Sequence, residues 1–308
     1  MVQNDRVYIV KKGNSQVPAF WGTLARCVPL GPLSWFRVGG ASDYAFYPSS
    51  VAGLQAFLQE RPVPGPYMVL GAGSNLIVRD GGFRGCVIFL PNDCNMISRA
   101  DGHDIYAGAK VLDKKIAKHA CSEGIGGLEF LYTIPGTLGG GVRMNAGAFD
   151  GDIARVLVHA ILMDMDGRVH KMTPKDLAFD YRRSALPEGW IVLGALLRGV
   201  PRASEDVLAI INEMSEKRRD TQPSGRTGGS TFKNPLPKKA WELIDQAGMR
   251  GAQVGGAVMS PKHCNFMINQ GNATASDLET LGENVRDAVE KKSGVRLEWE
   301  IVRVGDSL

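Results

Sequence analysis

Glycine positions constrain this chain more than any other feature of the sequence. Glycine accounts for 38 of the 308 residues, well above the roughly 7% of an average protein, yet there is no Gly-X-Y period and no Gly/Ser tract. The excess must therefore lie at specific backbone positions, where a positive φ or a close approach leaves no room for a side chain. The expected result is a folded domain with tight loops, in a chain long enough to bury its core without disulfides.

The first glycine cluster is Gly71-Ala72-Gly73-Ser74-Asn75, which directly follows an apolar run. A loop of this kind can turn successive backbone N–H groups toward a phosphate. An ordinary turn between two strands is the alternative interpretation. A dinucleotide fingerprint of the Rossmann type would need a further glycine at position 76, which is a leucine here, so that fold is excluded.

The second cluster occupies residues 134–148, where glycine alternates with apolar residues. This stretch is too apolar for a linker, so a close approach of backbone to a flat or anionic ligand explains its glycines better than flexibility does. A tightly packed glycine hinge is the alternative. Two such loops in one chain predict an anionic, nucleotide-like cofactor more specifically than either loop alone.

Composition excludes several classes of protein. A net charge of +4 is too small for a nucleic-acid-binding surface, which needs a dense basic stripe. The five cysteines are odd in number and form no C-x-x-C pair, which is typical of reduced thiols inside the cell. No apolar run reaches the roughly 18 residues of a membrane span, and the N-terminal sequence lacks the apolar run of a signal peptide. We therefore expect a cytoplasmic protein.

Hydrophobic periodicity predicts an α+β fold. Apolar runs between glycine-rich turns predict strands at 68–70, 76–78 and 86–90, and Asp166-Gly167 predicts a β-hairpin. Helices are predicted after Ser50, over 112–122, from a capping Ser204, and at about 240–247 and 276–292. Alternation over 295–301 predicts a last strand whose Glu298 and Glu300 both face solvent. The main domain boundary is placed near residue 203, with residues 217–229 as a functional loop.

Two polar motifs could bind or transform a ligand. Arg182, within Tyr181-Arg182-Arg183-Ser184, could hold a carboxylate with two parallel hydrogen bonds, although solvated surface arginines are commoner. The segment 228–235 could present a hydroxyl, an amide and a cation to a polar ligand, or could be a simple turn. The histidines show no ligand spacing with one another or with a cysteine, so no metal site is expected; they are His103, His119, His159, His170 and His263.

Five blocks together, in this order, resemble the UDP-N-acetylenolpyruvoylglucosamine reductase family over roughly residues 20–305. An ordered set of motifs is far more specific than a single motif. The blocks are Phe36-Arg37-Val38-Gly39-Gly40, residues 71–75, residues 134–148, residues 181–184 with 229–235, and Leu297-Glu298-Trp299-Glu300.

The resemblance implies a flavoenzyme with the FAD-binding fold of the vanillyl-alcohol oxidase (PCMH) type. It implies non-covalent FAD, NADPH as co-substrate, and reduction of UDP-N-acetylenolpyruvoylglucosamine to UDP-N-acetylmuramate for peptidoglycan. The expected divisions are an N-terminal extension over 1–30, an FAD-binding domain of two subdomains over 31–203 that split near residue 100, and a C-terminal substrate-binding domain over 204–308. A monomer is expected, with no membrane or nucleic-acid partner.

The resemblance also assigns roles to individual residues. It makes Arg182, Ser230 and Glu300 catalytic, with Ser230 as the proton donor. It places Tyr181, Asn234 and His263 in the substrate site. It assigns to FAD the residues Gly71, Ala72, Gly73, Ser74, Asn75, Ile134, Pro135, Gly136, Thr137, Gly139, Gly140, Asn145, Ala146 and Gly147.

The chain departs from the longer branch of that family. It has no obvious counterpart of the tyrosine-bearing loop that closes over substrate there, nor a lysine just before Pro223, so it resembles the shorter branch. Two rival functions stay open: another flavoprotein oxidase of the same fold, such as a sugar or lactone oxidase, and a non-catalytic UDP-sugar binder.

Overall fold

The computed structural model describes residues 17–308. Within that range the α-helices are α1 (Val51–Glu60), α2 (Asp113–Ser122), α3 (Leu138–Met144), α4 (Ile153–Val156), α5 (Pro174–Leu177), α6 (Ser204–Thr221), α7 (Ala240–Gln246) and α8 (Ala275–Ser293). Short 3-10 turns lie at Gly31–Leu33, Asn92–Asn95 and Glu129–Thr133.

The strands of the same range are short, as the glycine-separated apolar runs predicted. The first nine are β1 (Gly22–Pro29), β2 (Ala41–Pro48), β3 (Tyr67–Val69), β4 (Leu76–Val78), β5 (Phe83–Ile88), β6 (Ile97–Arg99), β7 (Asp104–Gly108), β8 (Ile125–Gly126) and β9 (Gly147–Ala148). The others are β10 (Gly151–Asp152), β11 (Leu157–Met163), β12 (Val169–Met172), β13 (Ile191–Arg198), β14 (Val200–Pro201), β15 (Gln253–Val254), β16 (Ala257–Met259), β17 (Met267–Asn269) and β18 (Val302–Val304).

The first sheet has the strand order β1-β2-β5-β3. Strands β1 and β2 are antiparallel, whereas β5 runs parallel to both β2 and β3. Helix α1 begins at the predicted place because the Ser50 hydroxyl accepts a hydrogen bond from the Gly53 N–H at 3.1 Å. Its Phe57 ring stacks on Phe46 of β2 with the ring centroids 3.8 Å apart. Strand β1 lies inside the stretch 1–30 that was expected to be an extension, yet it forms an edge of this sheet.

The second sheet is antiparallel throughout, in the order β12-β11-β13-β7-β6. The predicted hairpin is confirmed: β11 and β12 flank Asp166-Gly167, and Gly167 has the positive φ of 78° that the turn requires. One large hydrophobic cluster fills the space between this sheet, α1, α2 and α6. The buried Val207 and Ile211 of α6 belong to that cluster.

Helix α6 corrects two local expectations. It runs on to Thr221, so residues 217–221 are helical and only 222–229 form a loop. Its N-cap residue is Ala203 and not Ser204, and no side chain caps it. The charged residues that suggested a loop instead form the exposed face of an amphipathic helix, whose apolar residues pack on the first core.

A second hydrophobic cluster lies beneath α7, α8 and the sheet β15-β16-β17. Both helices begin and end within one residue of the predicted bounds. The cluster also contains Phe36, Val38 and Ile77 from the N-terminal half, so the two halves of the chain share this core. The division of the chain into an extension and two domains stays a prediction.

The predicted last strand over 295–301 is wrong. Strand β18 begins at Val302 and pairs in parallel with β4, while residues 295–301 form an irregular segment. Only Trp299 of that segment makes a bridge, to Phe232. The predicted alternation fails at Glu300, because residues 295–301 pass between the second hydrophobic cluster and the glycine loop at 71–75. They do not lie along a sheet that has one face exposed to solvent.

Candidate active site

The first glycine loop, residues 71–75, connects β3 to β4 at the end of the first sheet. Among the described residues no protein acceptor pairs with any of its five backbone N–H groups. Gly73 has φ +63°, and a Cβ there would overlap the carbonyl oxygen of Leu33. The loop is therefore held from behind by residues 31–35, and its amides are available to an anionic ligand.

The second glycine loop, residues 134–141, packs against the first. A Cβ on Gly71 would lie 2.8 Å from the hydroxyl oxygen of Thr137, so a side chain larger than glycine at position 71 would force the loops apart. The loop is anchored to the start of α2 because Asp113 N–H donates to the Gly136 carbonyl at 3.1 Å. The two glycine clusters recognised in the sequence therefore form one cradle.

A cavity of about 570 Å³ opens between these loops. Its size suits a dinucleotide-like cofactor better than a single ion or a small metabolite. The residues that line it are Tyr47, Pro48, Ser49, Leu70, Gly71, Ala72, Phe89, Leu90, Pro91, Asn92, Lys110, Leu112 and Thr137. Free loop amides, one lysine and flat apolar walls are the features that FAD requires from a protein, so the residues present fit this cofactor.

Asp113 lies directly under the second loop and has no hydrogen-bond partner for either carboxylate oxygen within the described residues. Burial raises its pKa to about 8. A Cβ on Gly136 would lie 2.9 Å from Oδ2 of this carboxyl. A neutral carboxyl beneath the loop avoids placing a negative charge where an anionic cofactor is expected.

Asn145 connects the second glycine stretch to the polar motif at 181–184. It adopts a left-handed conformation with φ +43°. Its side-chain nitrogen donates to the Asp180 carbonyl at 3.0 Å, and its side-chain oxygen accepts from the Ala154 N–H at 2.9 Å. In the described structure Asn145 therefore fixes backbone, and its assignment to FAD stays a prediction.

Arg182 and Glu300 meet although 118 residues separate them in sequence. Arg182 Nε donates to Glu300 Oε1 at 3.1 Å, and its Nη2 donates to the Gly147 carbonyl at 2.6 Å. Both side chains are about four-fifths buried, with 21% and 17% of their surface exposed. The segment is held with Arg182 at φ +54°, a conformation that is uncommon outside glycine.

Glu300 lies against the first glycine loop. Asn75 Nδ2 donates to its carbonyl at 3.0 Å, and the N–H of Val302 donates to the Asn75 carbonyl at 3.1 Å. Burial raises the pKa of Glu300, while Arg182 and then Lys233 oppose the rise. Its neighbour Glu298 is 72% exposed. Expected solvent exposure is therefore wrong for Glu300 and right for Glu298.

Ser230 comes from the segment that runs beside Glu300. Thr231, next in sequence, accepts the Glu300 N–H at its carbonyl at 2.9 Å. Ser230 itself bridges Phe266. Two residues of one family motif, Ser230 and Asn234, are thus carried on the stretch that pairs with the Glu300 segment.

Tyr181 and Asn234 form a direct contact: the Asn234 side-chain nitrogen donates to the tyrosine hydroxyl at 3.2 Å. The Asn234 side-chain oxygen accepts from the N–H of Ala240 at 3.0 Å, at the start of α7. This pair joins the Arg182 segment to the Ser230 segment, and the assignment of both residues to the substrate site stays a prediction.

His263 is packed edge-on against Phe266, with the ring centroids 4.8 Å apart. Its Nδ1 accepts a hydrogen bond from the Asn265 N–H at 3.3 Å. Burial lowers the pKa of His263, and Arg250 adds to this effect. Phe266 also forms the bridge with Ser230, and the assignment of His263 to the substrate site stays a prediction.

The sequence alone missed the cavity residues outside the glycine loops. Lys233, the cation noted in segment 228–235, is only 19% exposed, which sets it apart from an ordinary surface lysine. Tyr47, Phe89 and Lys110 come from three separate elements, so no local pattern could have grouped them.

Residues 17–308 contain no group of three or more His, Cys, Asp or Glu side chains that could hold a metal ion. No helix in this part of the chain has the length and apolar character needed to cross a membrane.

Comparison with known families first defines a class of protein. Residues 42–173 match the family described as FAD binding domain, which includes both glycine loops. This part of the chain is therefore an FAD-binding domain of the PCMH type, as expected from the sequence. Residues 221–304 match the family described as UDP-N-acetylenolpyruvoylglucosamine reductase, C-terminal domain.

Whole-length relatives make the assignment specific. A UDP-N-acetylenolpyruvoylglucosamine reductase from Gluconobacter oxydans (strain 621H) is 47% identical over 296 residues, which is 95% of this chain and 96% of that protein. The same enzyme from Paramagnetospirillum magneticum (strain ATCC 700264 / AMB-1) is 47% identical over 290 residues, 94% of each chain. The crystal structure of the Thermus caldophilus enzyme superposes with a TM-score of 0.79 at 33% identity, over 90% of this chain and 98% of that one. The chain belongs to the UDP-N-acetylenolpyruvoylglucosamine reductase family.

Proposed function

We propose that this protein reduces UDP-N-acetylenolpyruvoylglucosamine to UDP-N-acetylmuramate, with NADPH as the electron donor and FAD as the carrier. The observation that carries the proposal is the Arg182–Glu300 pair. Its two side chains are 3.1 Å apart and largely buried. The backbone carbonyl of Glu300 accepts a hydrogen bond from Asn75 of the first glycine loop. The pair therefore places an arginine that can bind a carboxylate beside the glycine loop that is assigned to FAD.

When bound, FAD supplies the hydride that passes from NADPH to the terminal carbon of the enolpyruvyl ether. Adding hydride there pushes negative charge onto the substrate carboxylate as an enolate. Arg182 can stabilise that charge as it develops, because its guanidinium is fixed by the Gly147 carbonyl and by Glu300. The arginine thus lowers the barrier and does more than bind the substrate.

Glu300 completes the polarising pair when it carries a proton. Two ionised carboxylates would repel each other across the site, whereas a protonated Glu300 can share its proton with the substrate carboxylate. Burial raises the pKa of Glu300, which favours that protonated form. The exposed Glu298 lacks this environment.

Ser230 is the proposed proton donor to the ether carbon. The enolate must be quenched by a positioned acid, and Ser230 is a hydroxyl held on the stretch adjacent to Glu300 through Thr231. Donation by serine completes the saturated lactyl ether, and the hydroxyl recovers its proton from solvent or from a neighbouring group. The reaction therefore separates into reduction of the cofactor and reduction of the substrate.

NADPH and the UDP substrate are proposed to use the same cleft in turn. The sequence carries no complete dinucleotide fingerprint from which a separate nicotinamide site could be built. Alternate use of one site gives a ping-pong cycle, so initial-rate plots should be parallel. Intersecting lines together with a trapped ternary complex would refute the shared cleft.

Stopped-flow flavin absorbance on the Ser230→Ala variant tests the proposal. Bleaching by NADPH should survive nearly intact, because a proton donor to the enolate takes no part in it. Reoxidation by the enolpyruvyl substrate should slow by roughly 10²–10⁴-fold, as for a lost general acid. Ser224→Ala, on the same segment but exposed, is the matched control and should leave both half-reactions unchanged. Equal losses in both half-reactions for Ser230→Ala would overturn the assignment.

The two rival functions give different results in the same instrument. A sugar or lactone oxidase would reoxidise rapidly in air and would not respond to the enolpyruvyl substrate. A non-catalytic UDP-sugar binder would lack the yellow absorbance of a flavin altogether. One spectrum before NADPH, one after NADPH and one after the substrate separate the three possibilities.

A further inference from the structure

Asn265 is a buried polar residue beside the Ser230 segment, and the proposed reaction gives it no role. Only 3% of its surface is exposed. Its side-chain oxygen accepts a hydrogen bond from the Phe232 N–H at 3.0 Å, and its side-chain nitrogen donates to the Phe232 carbonyl at 2.8 Å. A single side chain thus pairs with both backbone polar groups of Phe232.

The backbone of Asn265 holds the same stretch. Its carbonyl accepts the Thr231 N–H at 2.7 Å, and the next residue, Phe266, forms the bridge with Ser230. The chain before Asn265 turns away into a loop, so its side-chain amide supplies the pairing with Phe232 that a longer strand would supply. Asn265 therefore makes three hydrogen bonds with the two residues that follow Ser230.

The opposite edge of the stretch 230–232 pairs with the Glu300 segment through the Glu300 N–H. Glu300 is also held at two further points, by Arg182 at its carboxylate and by Asn75 at its carbonyl. Those two contacts come from other parts of the chain and do not involve Asn265. Loss of the Asn265 side chain should therefore displace Ser230 more than Glu300.

We propose that Asn265 is a positioning residue for the proton donor Ser230. A serine hydroxyl moves about the single χ1 bond, so the backbone of residues 230–232 determines where it lies. A buried side chain that binds this backbone with two hydrogen bonds keeps the hydroxyl where proton transfer to the ether carbon requires it. Asn265 is too deeply buried to contact the substrate itself. The inference rests on the proposed function, because the role of Ser230 is assigned there.

Asn265→Ala removes both side-chain hydrogen bonds, and Asn269→Ala is the matched control. Asn269 is 4% exposed and lies at the end of β17. Its side-chain nitrogen donates to the Phe36 carbonyl at 2.7 Å, and its side-chain oxygen accepts the N–H groups of Gly271 and Ala273. It is as buried as Asn265 and as well hydrogen-bonded, but none of these three bonds reaches the stretch 230–232.

The measurement is stopped-flow reoxidation of the flavin by the enolpyruvyl substrate, on holoenzyme reduced with NADPH. In Asn265→Ala the limiting rate at saturating substrate should fall by about 10²-fold, the cost of a misplacement of about 1 Å at a reacting centre. The substrate concentration at half-saturation and the rate of bleaching by NADPH should stay close to the wild-type values. Both alanine variants should lower Tm by a similar amount, because each leaves buried backbone groups without partners. Only Asn265→Ala should slow reoxidation.

A double-mutant cycle separates positioning from a general loss of stability. If Asn265 acts through Ser230, the double variant Ser230→Ala/Asn265→Ala should reoxidise no more slowly than Ser230→Ala alone. Losses that multiply in the double variant would overturn the inference, and so would an equal slowing of reoxidation in Asn269→Ala.

Asn265→Ser is the milder variant, measured if the alanine variant yields no folded holoenzyme. The space that serine leaves admits a water molecule, which can replace part of the lost pairing. Its limiting rate of reoxidation should fall by about tenfold, and a wild-type rate in this variant would overturn the inference. If the wild type itself fails to reoxidise with the enolpyruvyl substrate, the proposed function fails. An active wild type with an equally active Asn265→Ala variant refutes the positioning role alone.

Discussion

Gly282→Ala is the substitution whose outcome tests most directly how the site is held together. Gly282 lies inside α8, where alanine should stabilise the helix by about 1 kcal/mol. A Cβ at this position would overlap Cη2 and Cζ2 of Trp299 and lie 3.2 Å from Cζ3. Overlap of this kind costs about 3 kcal/mol in a packed core. We therefore expect a net loss of about 2 kcal/mol in the free energy of unfolding, despite the better helix former.

Trp299 cannot move away without consequences for the site. Its indole N–H donates to Glu283 Oε1 at 2.8 Å, and the Arg303 guanidinium lies 4.5 Å from the ring centroid. Since Trp299 directly precedes Glu300, a displaced ring shifts the carboxyl that pairs with Arg182. A misplacement of about 1 Å at a reacting centre can cost on the order of 10²-fold in rate. Substrate-dependent flavin reoxidation should fall accordingly.

The assays are thermal unfolding and stopped-flow absorbance on the holoenzyme. A loss of 2 kcal/mol should lower Tm by about 5 °C. Asn284→Ala, exposed on the same helix, improves helix propensity without touching Trp299 and should leave Tm and rate unchanged or slightly raise Tm. If Gly282→Ala unfolds at or above the wild-type Tm with full activity, the packing argument for this segment is refuted.

Three other predictions follow. Acid precipitation should leave the yellow cofactor in the supernatant, because neither glycine loop carries a His or Cys to attach it; colour in the pellet would contradict this. Burial raises the pKa of Asp113 to about 8 from an unfolded value near 4. The folded state thus binds the extra proton between these values, and the stability that it contributes is lost as pH rises toward 8. Asp113→Asn should remove that loss, so urea unfolding with saturating FAD should show its advantage over wild type growing from pH 5 to 8, and a constant difference would refute a neutral carboxyl. Glu300→Gln should slow substrate-dependent reoxidation whereas Glu298→Gln should not, and stopped-flow rates that rank them the other way would reject the assignment of Glu300.

The local features of the fold could be predicted where the signal lies within a few neighbouring residues. Ser50 begins α1 and Asp166-Gly167 turns the hairpin as expected, because capping and turn chemistry act over three or four positions. The two glycine loops, which the sequence indicated as places of close backbone approach, do pack against each other in the structure. Each loop contains more glycine than an ordinary turn between two strands requires.

The remaining features depend on contacts between distant segments. Glu298 and Glu300 share one face by periodicity, yet only Glu300 is buried, because Arg182 and Asn75 approach it from elsewhere in the chain. The C-terminal turn of α6 looked like a loop because its residues are charged, and the Arg218 guanidinium of that turn donates to the carbonyl of Thr133, a residue distant in the sequence. The spacing of residues along the sequence predicts neither contact, because each is made with a distant segment of the chain. The resemblance to a family was what separated Glu300 from Glu298.

The pairing of β18 with β4 has a consequence for how the protein is made. The residues that complete the first glycine loop, from Glu300 to Val304, are synthesised more than two hundred residues after Asn75. While the ribosome is still translating the C-terminal half, the nascent loop lacks its partner strand and the second core lacks α8. A growing chain can thus form the first core early, but it gains a completed cofactor cradle only after residue 304 has left the exit tunnel. Capture of FAD in the completed cradle should accordingly come late, after residue 304 has been synthesised and has folded against β4.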